Sequence, residues 1–459
     1  MKNIQINSKH VEPGDIFVAI PCENVEQNIF DAFQKGADIV FAEHSTNENV
    51  ILVKDARLLA SRLSRFNYPE HPETCVAITG TNGKSSVSHF LSQIWTYLGK
   101  KSANLGTLGL FIDQQAVKPE EFFIPNLTTP DAVTFHKVME YLQNSQVTHC
   151  VFEASSHALE QKRCHSAVIK AAAFTNLASD HLDYHKTRKV YFATKLKLFS
   201  EILPQDMPAI VSLDFSDIYE RVSEINSNLI TFGISEKNDI SAQNIKVAPG
   251  KIIFDLSYRD EVFYDVESNL LGDFQVMNIL CAVALGLATG FDIGSMVKVL
   301  PKIKPLEGRM ELVKTFNGGD IYVDFAHTSE GLRTALQCFR KVCRGRLICV
   351  FGCGGNRDVS KRPEMGKIAH EIADICIVTD DNPRQEAPEE IRQQIIKTCP
   401  NAIEIGNRRD AIKYAVSLMQ PGDIVAVMGR GHETHQIYAD ENIPFNDKEV
   451  ILETCINLT

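Results

Sequence analysis

Lys84 and Ser85 close the stretch Ile78-Thr79-Gly80-Thr81-Asn82-Gly83-Lys84-Ser85-Ser86, and their types and spacing suit phosphate chemistry. Gly80 and Gly83 allow a backbone curl that turns N–H groups inward. A lysine at the end of such a turn reaches the β- and γ-phosphates of a nucleotide, and a serine hydroxyl beside it ligates Mg²⁺. The spacing departs from the common phosphate loop, whose first glycine falls where this chain has Ile78. An ordinary strand-to-helix turn is the alternative. The flanks favour phosphate: the β-branched run Cys75 to Thr79 precedes the turn and a helical pattern, Val87 to Leu98, follows it. The turn therefore opens a helix whose N-terminal partial positive charge suits an anion.

Further polar groups fall at the carboxyl ends of strand patterns, where open α/β sheets bind ligands. Glu153-Ala154-Ser155-Ser156-His157 follows Cys150 to Phe152. A carboxylate there can hold Mg²⁺ on phosphates; a Glu-Ser-Ser helix cap is the plainer reading. Asp180, His181, Asp183 and His185 crowd the loop after Ala171 to Thr175. Carboxylates with an imidazole suit Mg²⁺ or Mn²⁺, and a polar turn is the alternative. Lys195, in the helical pattern Tyr191 to Phe199, reads by itself as a solvated lysine. Arg309, beside Gly308, is placed at a domain junction to close on a nucleotide or to make a salt bridge. Asp324 ends the first strand of the third part; it can accept from a ribose hydroxyl or cap a helix. The glycine loop Gly352 to Asp358, the turn Asp381-Asn382-Pro383-Arg384 and the turn Gly429 to Glu433 close three more strands. Arg357 and Arg384 offer forks for a carboxylate and Glu433 a partner for an ammonium, so the set suits a zwitterion.

Alternating strand and helix patterns must position these groups, which makes the chain α/β. Residues 1–72 form a small unit with strands at Asp15 to Ile20 and Asp38 to Phe41, ended by the linker Tyr68-Pro69-Glu70-His71-Pro72. Residues 73–303 read as a doubly wound sheet, with strands that include Ala209 to Val211 and a β-rich stretch over 228–265. Pro301, Pro305 and Gly308 mark the next boundary. Residues 304–459 alternate again, with strands at Ile321 to Val323, Leu347 to Phe351, Ile375 to Val378 and Ile424 to Val427.

Composition narrows the function classes. Hydrophobic residues make up 44% and charged residues 23% of 459, as in a soluble protein with sizeable cores. The net charge of −11 argues against a nucleic-acid partner. A phosphate site is built locally and tolerates an acidic whole. No apolar run reaches the roughly 18 residues of a spanning helix, and Met1 to Gln5 has no apolar signal core. No membrane insertion and a cytoplasmic location are expected. The twelve cysteines are scattered, with no Cys-x-x-Cys, and read as reduced thiols rather than metal ligands.

Taken together, the motifs resemble the Mur ligase family over almost the whole chain. The marks are Thr79 to Lys84, Asn126-Leu127-Thr128-Thr129-Pro130-Asp131, Glu153 to Leu159 with Gln161 and Arg163, Asp180 to His185, Gly308 to Glu311, Asp324 to Thr328, Gly352 to Arg362, Asp381 to Arg384 and Gly429 to Glu433. The resemblance implies three domains: a small N-terminal α/β UDP-binding domain, a central P-loop doubly wound ATPase domain and a C-terminal Rossmann-like domain. It implies an ATP-dependent ligase that joins an amino acid to a carboxylate on a UDP-sugar peptide. Gly80, Thr81, Asn82, Gly83, Lys84, Ser85 and Ser86 would hold the phosphates. Ser85, Glu153, His181 and Lys195 would serve a pair of Mg²⁺ ions, with Lys195 matching the family's carbamylated lysine. That replaces the solvated reading of Lys195. Lys84, Glu153, His181 and Lys195 form the implied catalytic set. Asn278, Arg309, Asp324 and His327 match contacts to ATP. Asn126, Thr128, Thr129, Ser155, Gln161 and Arg163 match contacts to UDP-N-acetylmuramoyl-L-alanyl-D-glutamate, and Ser8 a contact on its uridine side. Arg357, Asp381, Asn382, Arg384, Gly429 and Glu433 would bind the incoming amino acid. The run Asp381 to Arg384 matches the branch that adds meso-diaminopimelate; lysine-adding members usually lack that arginine.

The chain departs from the family pattern at Ser8-Lys9, where Ser-Arg is common, and at Glu307, Gln275 and Arg430, where proline, asparagine and lysine are usual. None removes a charge that the chemistry needs. That chemistry would activate a carboxylate as an acyl phosphate, which the amine then attacks. His181 and Asp183 are candidates for the base. Other readings are a lysine-adding or folate-glutamylating ligase of the same superfamily and a catalytically silent relative. Arg384 and the Thr-Thr-Pro motif argue against the first, and intact Lys84, Glu153, His181 and Lys195 against the second. A monomer is expected.

Overall fold

The computed structural model describes residues 2–119, 122, 124–125, 127–178, 182–248 and 250–458, without the side chains of Leu182 and Asp183. The chain forms two compact units. One comprises Met1–Gln243, Asp255–Val266 and Met277–Leu300; the other comprises Asn244–Phe254, Glu267–Val276 and Pro301–Thr459.

The first unit begins with a parallel sheet in the order Ile4–Gln5, Ile16–Val18, Ile39–Ala42, Ile51–Leu52. Two helices follow from local signals. Val25–Gln34 buries Val25, Ile29 and Ala32, one stripe at helical spacing. Ala56–Asn67 is capped by Asp55, whose carboxylate accepts from the Leu58 amide. The larger sheet has Thr74–Thr79 at its centre, between Ala171–Phe174 and His149–Glu153, all parallel. Every residue of Thr74–Thr79 is buried, as expected of a strand covered on both faces. Complete burial of Ile78 contributes about 1.5–3 kcal/mol. Register fixes what surrounds the next turn: Ile78 lies opposite Glu153, and Phe174 opposite Thr79. The carboxylate of Glu153 and the hydroxyl of Thr175 are thereby carried to the edge where the glycine turn begins. The helix Lys84–Tyr97 starts at the lysine itself rather than at Val87, because Gly83, at φ +84°, ends the turn immediately before it.

The second unit holds a sheet in the order Glu311–Phe316, Gly319–Asp324, Ile424–Met428, Leu347–Phe351, Ile375–Val378, Ile403–Glu404. All neighbours are parallel except the first pair. Asp324 therefore ends the second strand of this sheet, not the first. Glu311–Phe316 escapes a sequence reading because it is an edge strand of mixed polarity, with Leu312 exposed. Ser329–Val342, Lys361–Ile372 and Pro388–Ile396 pack on one face, and Arg408–Ser417 and Asp447–Asn457 on the other. The register sets Asp324 against Met428 and Phe351 against Val378. The loops 325–328, 352–358, 379–384 and 429–433 consequently leave one edge of the sheet together. The cysteines are free thiols. Among the described residues, no helix is long and apolar enough to cross a membrane.

Candidate active site

The turn after Thr74–Thr79 is built for close approach. Gly80 and Gly83 have φ of +144° and +84°. A Cβ at Gly80 would run into the Thr175 side chain, and one at Gly83 would lie 2.5 Å from Asn278 Oδ1. Thr175 and Asn176 hold the turn from the neighbouring strand end. Thr175 Oγ1 donates to the Asn82 carbonyl at 2.6 Å, and the Asn82 amide donates to Asn176 Oδ1 at 2.9 Å. Thr81 Oγ1 pairs with the Ala178 carbonyl and the Tyr191 hydroxyl, both at 3.2 Å. Lys84 Nζ donates to the carbonyls of Gly80 and Thr81 at 3.0 and 2.9 Å. Lys195 is 1% exposed; its Nζ donates to the Gly80 carbonyl at 2.7 Å and lies 4.5 Å from the Tyr191 ring centroid. The helix Lys84–Tyr97 has no side-chain cap. Its first-turn amides, Ser85 and Ser86 included, are the donors that such a helix presents to an anion.

Beside this turn lies a second network. Glu153 is 2% exposed; its Oε1 accepts from the Thr107 amide at 3.0 Å and its Oε2 from Thr107 Oγ1 at 3.3 Å. Thr107 Oγ1 is 3.2 Å from Thr128 Oγ1. Thr129 Oγ1 donates to the Glu153 carbonyl at 2.6 Å and accepts from the Ser155 amide at 3.2 Å. Arg163 Nη1 donates to the Thr129 carbonyl at 2.8 Å, and its other nitrogens grip Gln161 Oε1. Burial works against the Arg163 cation. Thr128, Thr129, Ser155, Gln161 and Arg163 are thus one connected set around Glu153. Ser155 is also the cap of Ser156–Glu160, so the plain capping reading holds as well. Ser8 belongs instead to the small N-terminal part: it is buried and donates to Asn28 Oδ1 at 3.2 Å. Asn126, Asp180 and His181 lie outside the described residues. His185, packed against Tyr184 and Tyr191, holds Ser156 Oγ at 2.9 Å.

In the second unit, Asp324 is buried with both oxygens engaged. Oδ2 accepts from the Met310 amide at 2.7 Å and Oδ1 from the Ala326 amide at 2.8 Å. It is not a helix cap, a role taken by Thr328. Burial raises its pKa, and the Arg309 charge opposes the rise. Arg309 lies 4.3 Å from the Phe325 ring centroid. His327 Nδ1 sits 3.0 Å from the Phe325 carbonyl, and burial lowers its pKa. Arg309, Asp324 and His327 therefore form one cluster.

The other loops of that edge form a polar cleft. Arg384, at φ +53°, donates from Nη1 to the Gly355 carbonyl at 2.9 Å. A Cβ at Gly354 would lie 2.9 Å from that nitrogen, and one at Gly429 2.8 Å from Asp381 Oδ2. Burial and the charge of exposed Arg357 both press on the Arg384 cation. Asn382 Nδ2 donates to Glu433 Oε2 at 2.8 Å. Burial, with the charge of Asp381, raises the Glu433 pKa. Arg357, Asp381, Asn382, Arg384, Gly429 and Glu433 are thus gathered as the sequence suggests. The contacts of three supporting arginines are not legible in it. Arg362, fully buried, bonds both oxygens of Glu386 and the Gly354 carbonyl, so it anchors the glycine loop. Arg408 and Asp447 form a completely buried pair at 2.7 and 2.8 Å. Arg430 bridges Asn382 and Glu433. Arg362 and Arg430 sit in marked motifs, and the Arg430–Glu433 contact is local; the contacts of Arg362 to Glu386, Arg430 to Asn382 and Arg408 to Asp447 join distant segments.

A phosphate turn with two lysines, a buried carboxylate network and a cleft for opposite charges can serve phosphoryl transfer and capture of a zwitterion. Residues 78–286 match the Mur ligase middle domain, and residues 308–431 the Mur ligase glutamate ligase domain. The chain is 41% identical over 456 residues to the UDP-N-acetylmuramoyl-L-alanyl-D-glutamate--2,6-diaminopimelate ligase of Brucella melitensis, covering 97% of this chain and 92% of that protein. It is 38% identical to the ligase of the same name from Rickettsia bellii, covering 98% and 95%. A solved structure of a ligase of that name superposes with a TM-score of 0.72 at 29% identity, over 100% of this chain and 95% of that one. The phosphate turn, the strand-end cleft and this full-length similarity agree, and the chain belongs to the Mur ligase family.

Proposed function

We propose that the chain is an ATP-dependent ligase that adds meso-diaminopimelate to the D-glutamate of UDP-N-acetylmuramoyl-L-alanyl-D-glutamate in peptidoglycan synthesis. The observation that carries the choice of amino acid is the cleft of Arg384, Asn382 and Glu433, where a cationic fork and a carboxylate flank one space-limited loop edge. Diaminopimelate carries an ammonium and a carboxylate at each end, which is the charge pattern such a cleft takes. Residues 1–72 would hold the uridine end, residues 73–303 ATP and the acceptor carboxylate, and residues 304–459 the amino acid.

In this reading the γ-phosphoryl group of ATP passes to the acceptor carboxylate, giving ADP and an acyl phosphate. The amine of diaminopimelate then attacks the carbonyl carbon, phosphate leaves, and the amine proton goes to a base. Lys84 stabilises charge on the transferring phosphoryl group. The network of Thr128, Thr129, Gln161 and Arg163 holds the muramoyl peptide, and Asn278, Arg309, Asp324 and His327 hold the nucleotide.

The buried Glu153 carboxylate supports the magnesium reading. Among the described residues, the buried Glu153 carboxylate has hydroxyl and amide partners but no ion pair, and a buried charge calls for a cation. Ser85, Glu153, His181 and a carbamate on Lys195 would hold the pair of ions. Bound magnesium would supply neutralisation of the crowded phosphate oxygens. The reading carries with it a cytoplasmic monomer with soluble substrates. Phosphate release with UDP-muramoyl dipeptide and a panel of amino acids tests it. Release with meso-diaminopimelate and little with lysine or glutamate is expected; equal release with lysine would overturn the assignment.

A further inference from the structure

We infer that Arg430 is a positioning residue for the incoming amino acid: its buried guanidinium fixes the Asn382 amide and one oxygen of Glu433, leaving the other Glu433 oxygen to an ammonium of that amino acid. The inference rests on the reading of this cleft as the amino-acid site.

Arg430 is fully buried. Its Nη1 donates to Asn382 Oδ1 at 2.8 Å and lies 3.2 Å from Glu433 Oε2. Asn382 closes the triangle, with Nδ2 donating to the same Oε2 at 2.8 Å. Asn382 Oδ1 also accepts from the Ile437 amide at 2.9 Å. Two donors on Oδ1 force the amide nitrogen toward Glu433, so the network itself assigns the amide orientation. On its far side Arg430 is locked by Nη2 donating to the His435 carbonyl at 2.6 Å and by the Phe445 ring, 5.6 Å from its centre. Glu433 Oε1 has no partner among the described residues.

The position is not one that stability alone would select. Nε of Arg430 is buried without a hydrogen bond, and an unmade buried bond costs stability. Burial and the nearby Arg408 also work against the cation. What the cation does is act on Glu433. Burial and Asp381 push the Glu433 carboxyl up; Arg430, Asn382 and Arg408 pull it back, and Arg384 also faces it. Removal of the Arg430 charge would raise the Glu433 pKa further. The ammonium partner would then be lost at a higher pH as pH falls.

The test uses the full chain with Arg430→Met, Arg430→Gln and Arg430→Lys. The readouts are KM for diaminopimelate, KM for ATP, and the pH profile of kcat/KM for diaminopimelate. Arg430→Met should raise KM for diaminopimelate about 30-fold or more, leave KM for ATP within about 2-fold, and move the acidic limb up by about one pH unit. Arg430→Gln, which keeps a donor toward Asn382, gives the same limb shift if Arg430→Met does not fold. Arg430→Lys keeps the charge and should return the limb to its wild-type place. An unmoved acidic limb in the neutral variants, or equal rises in both KM values, would overturn the inference and leave the choice of amino acid standing. Wild-type turnover of lysine in place of diaminopimelate would overturn that choice instead, while the limb shift would still report on Arg430.

Discussion

Lys84 and Lys195 donate to the same carbonyl oxygen, that of Gly80, at 3.0 and 2.7 Å. One lysine comes from the phosphate turn and the other from a helix a long way on in sequence. Two ammonium groups on one oxygen repel each other, the more so where Lys195 is 1% exposed. Conversion of one into an anion would replace repulsion by attraction and add hard oxygen donors beside the turn. The family resemblance makes Lys195 the candidate for carbamylation, and its burial beside the Gly80 turn is consistent with that role.

The expected result is that the intact protein gains the mass of one CO₂ in bicarbonate, and that Lys195→Ala does not. Lys195→Ala should be nearly inactive and partly rescued by short carboxylic acids. A density map with an unmodified Lys195 ammonium in the active, bicarbonate-treated enzyme would refute the modification.

Lys84→Ala should keep its fold, because the side chain stands at the phosphate turn, where it bonds the Gly80 and Thr81 carbonyls, and its larger role is toward phosphate. Its kcat should fall by roughly 10³-fold, a loss of about 4 kcal/mol of transition-state stabilisation. Turnover near wild type would remove Lys84 from the catalytic set.

Arg384 should decide between diaminopimelate and lysine, which lacks the second carboxylate. We expect a preference on the order of 10³-fold or more, as in sites where the wrong ligand leaves a polar group unpaired. Arg384→Ala should lose most of the diaminopimelate activity with ATP binding intact. Arg384→Lys should recover little, because an ammonium does not reproduce the planar fork. An unchanged KM for diaminopimelate in Arg384→Ala would rule this role out.

The Arg408–Asp447 pair ties two helices on one face of the second sheet, with both side chains completely buried. Removal of one member strands the other charge. Asp447→Ala should therefore lower the unfolding free energy by about 3–5 kcal/mol in a denaturant titration. A loss below about 1 kcal/mol would mean that water reaches Arg408 when its partner is removed.

What the sequence determined is local. Continuous apolar runs such as Leu347 to Phe351 and Ile375 to Val378 are strands because a parallel strand covered on both faces needs no polar residue, and both appear with those ends. The phosphate turn is legible for the same reason: glycines at positive φ, a lysine and a helix start are all set by neighbours in the chain. So too is the order of strand-end motifs, since the fold places strand ends on one edge. Tertiary structure decided the rest. The helical pattern around Lys195 is that of a surface helix, and only packing against the Gly80 turn buries it. Asp324 reads in sequence as a ligand or a cap; only the fold shows that Thr328 is the cap and that the Met310 and Ala326 amides hold the Asp324 carboxylate in place. The edge strand Glu311–Phe316, half exposed, has too little apolar contrast to announce itself. Arg430 and Asn382, and Arg408 and Asp447, find each other across dozens of residues. Burial and hydrogen bonding depend on which segments meet, and chain neighbours carry no record of that.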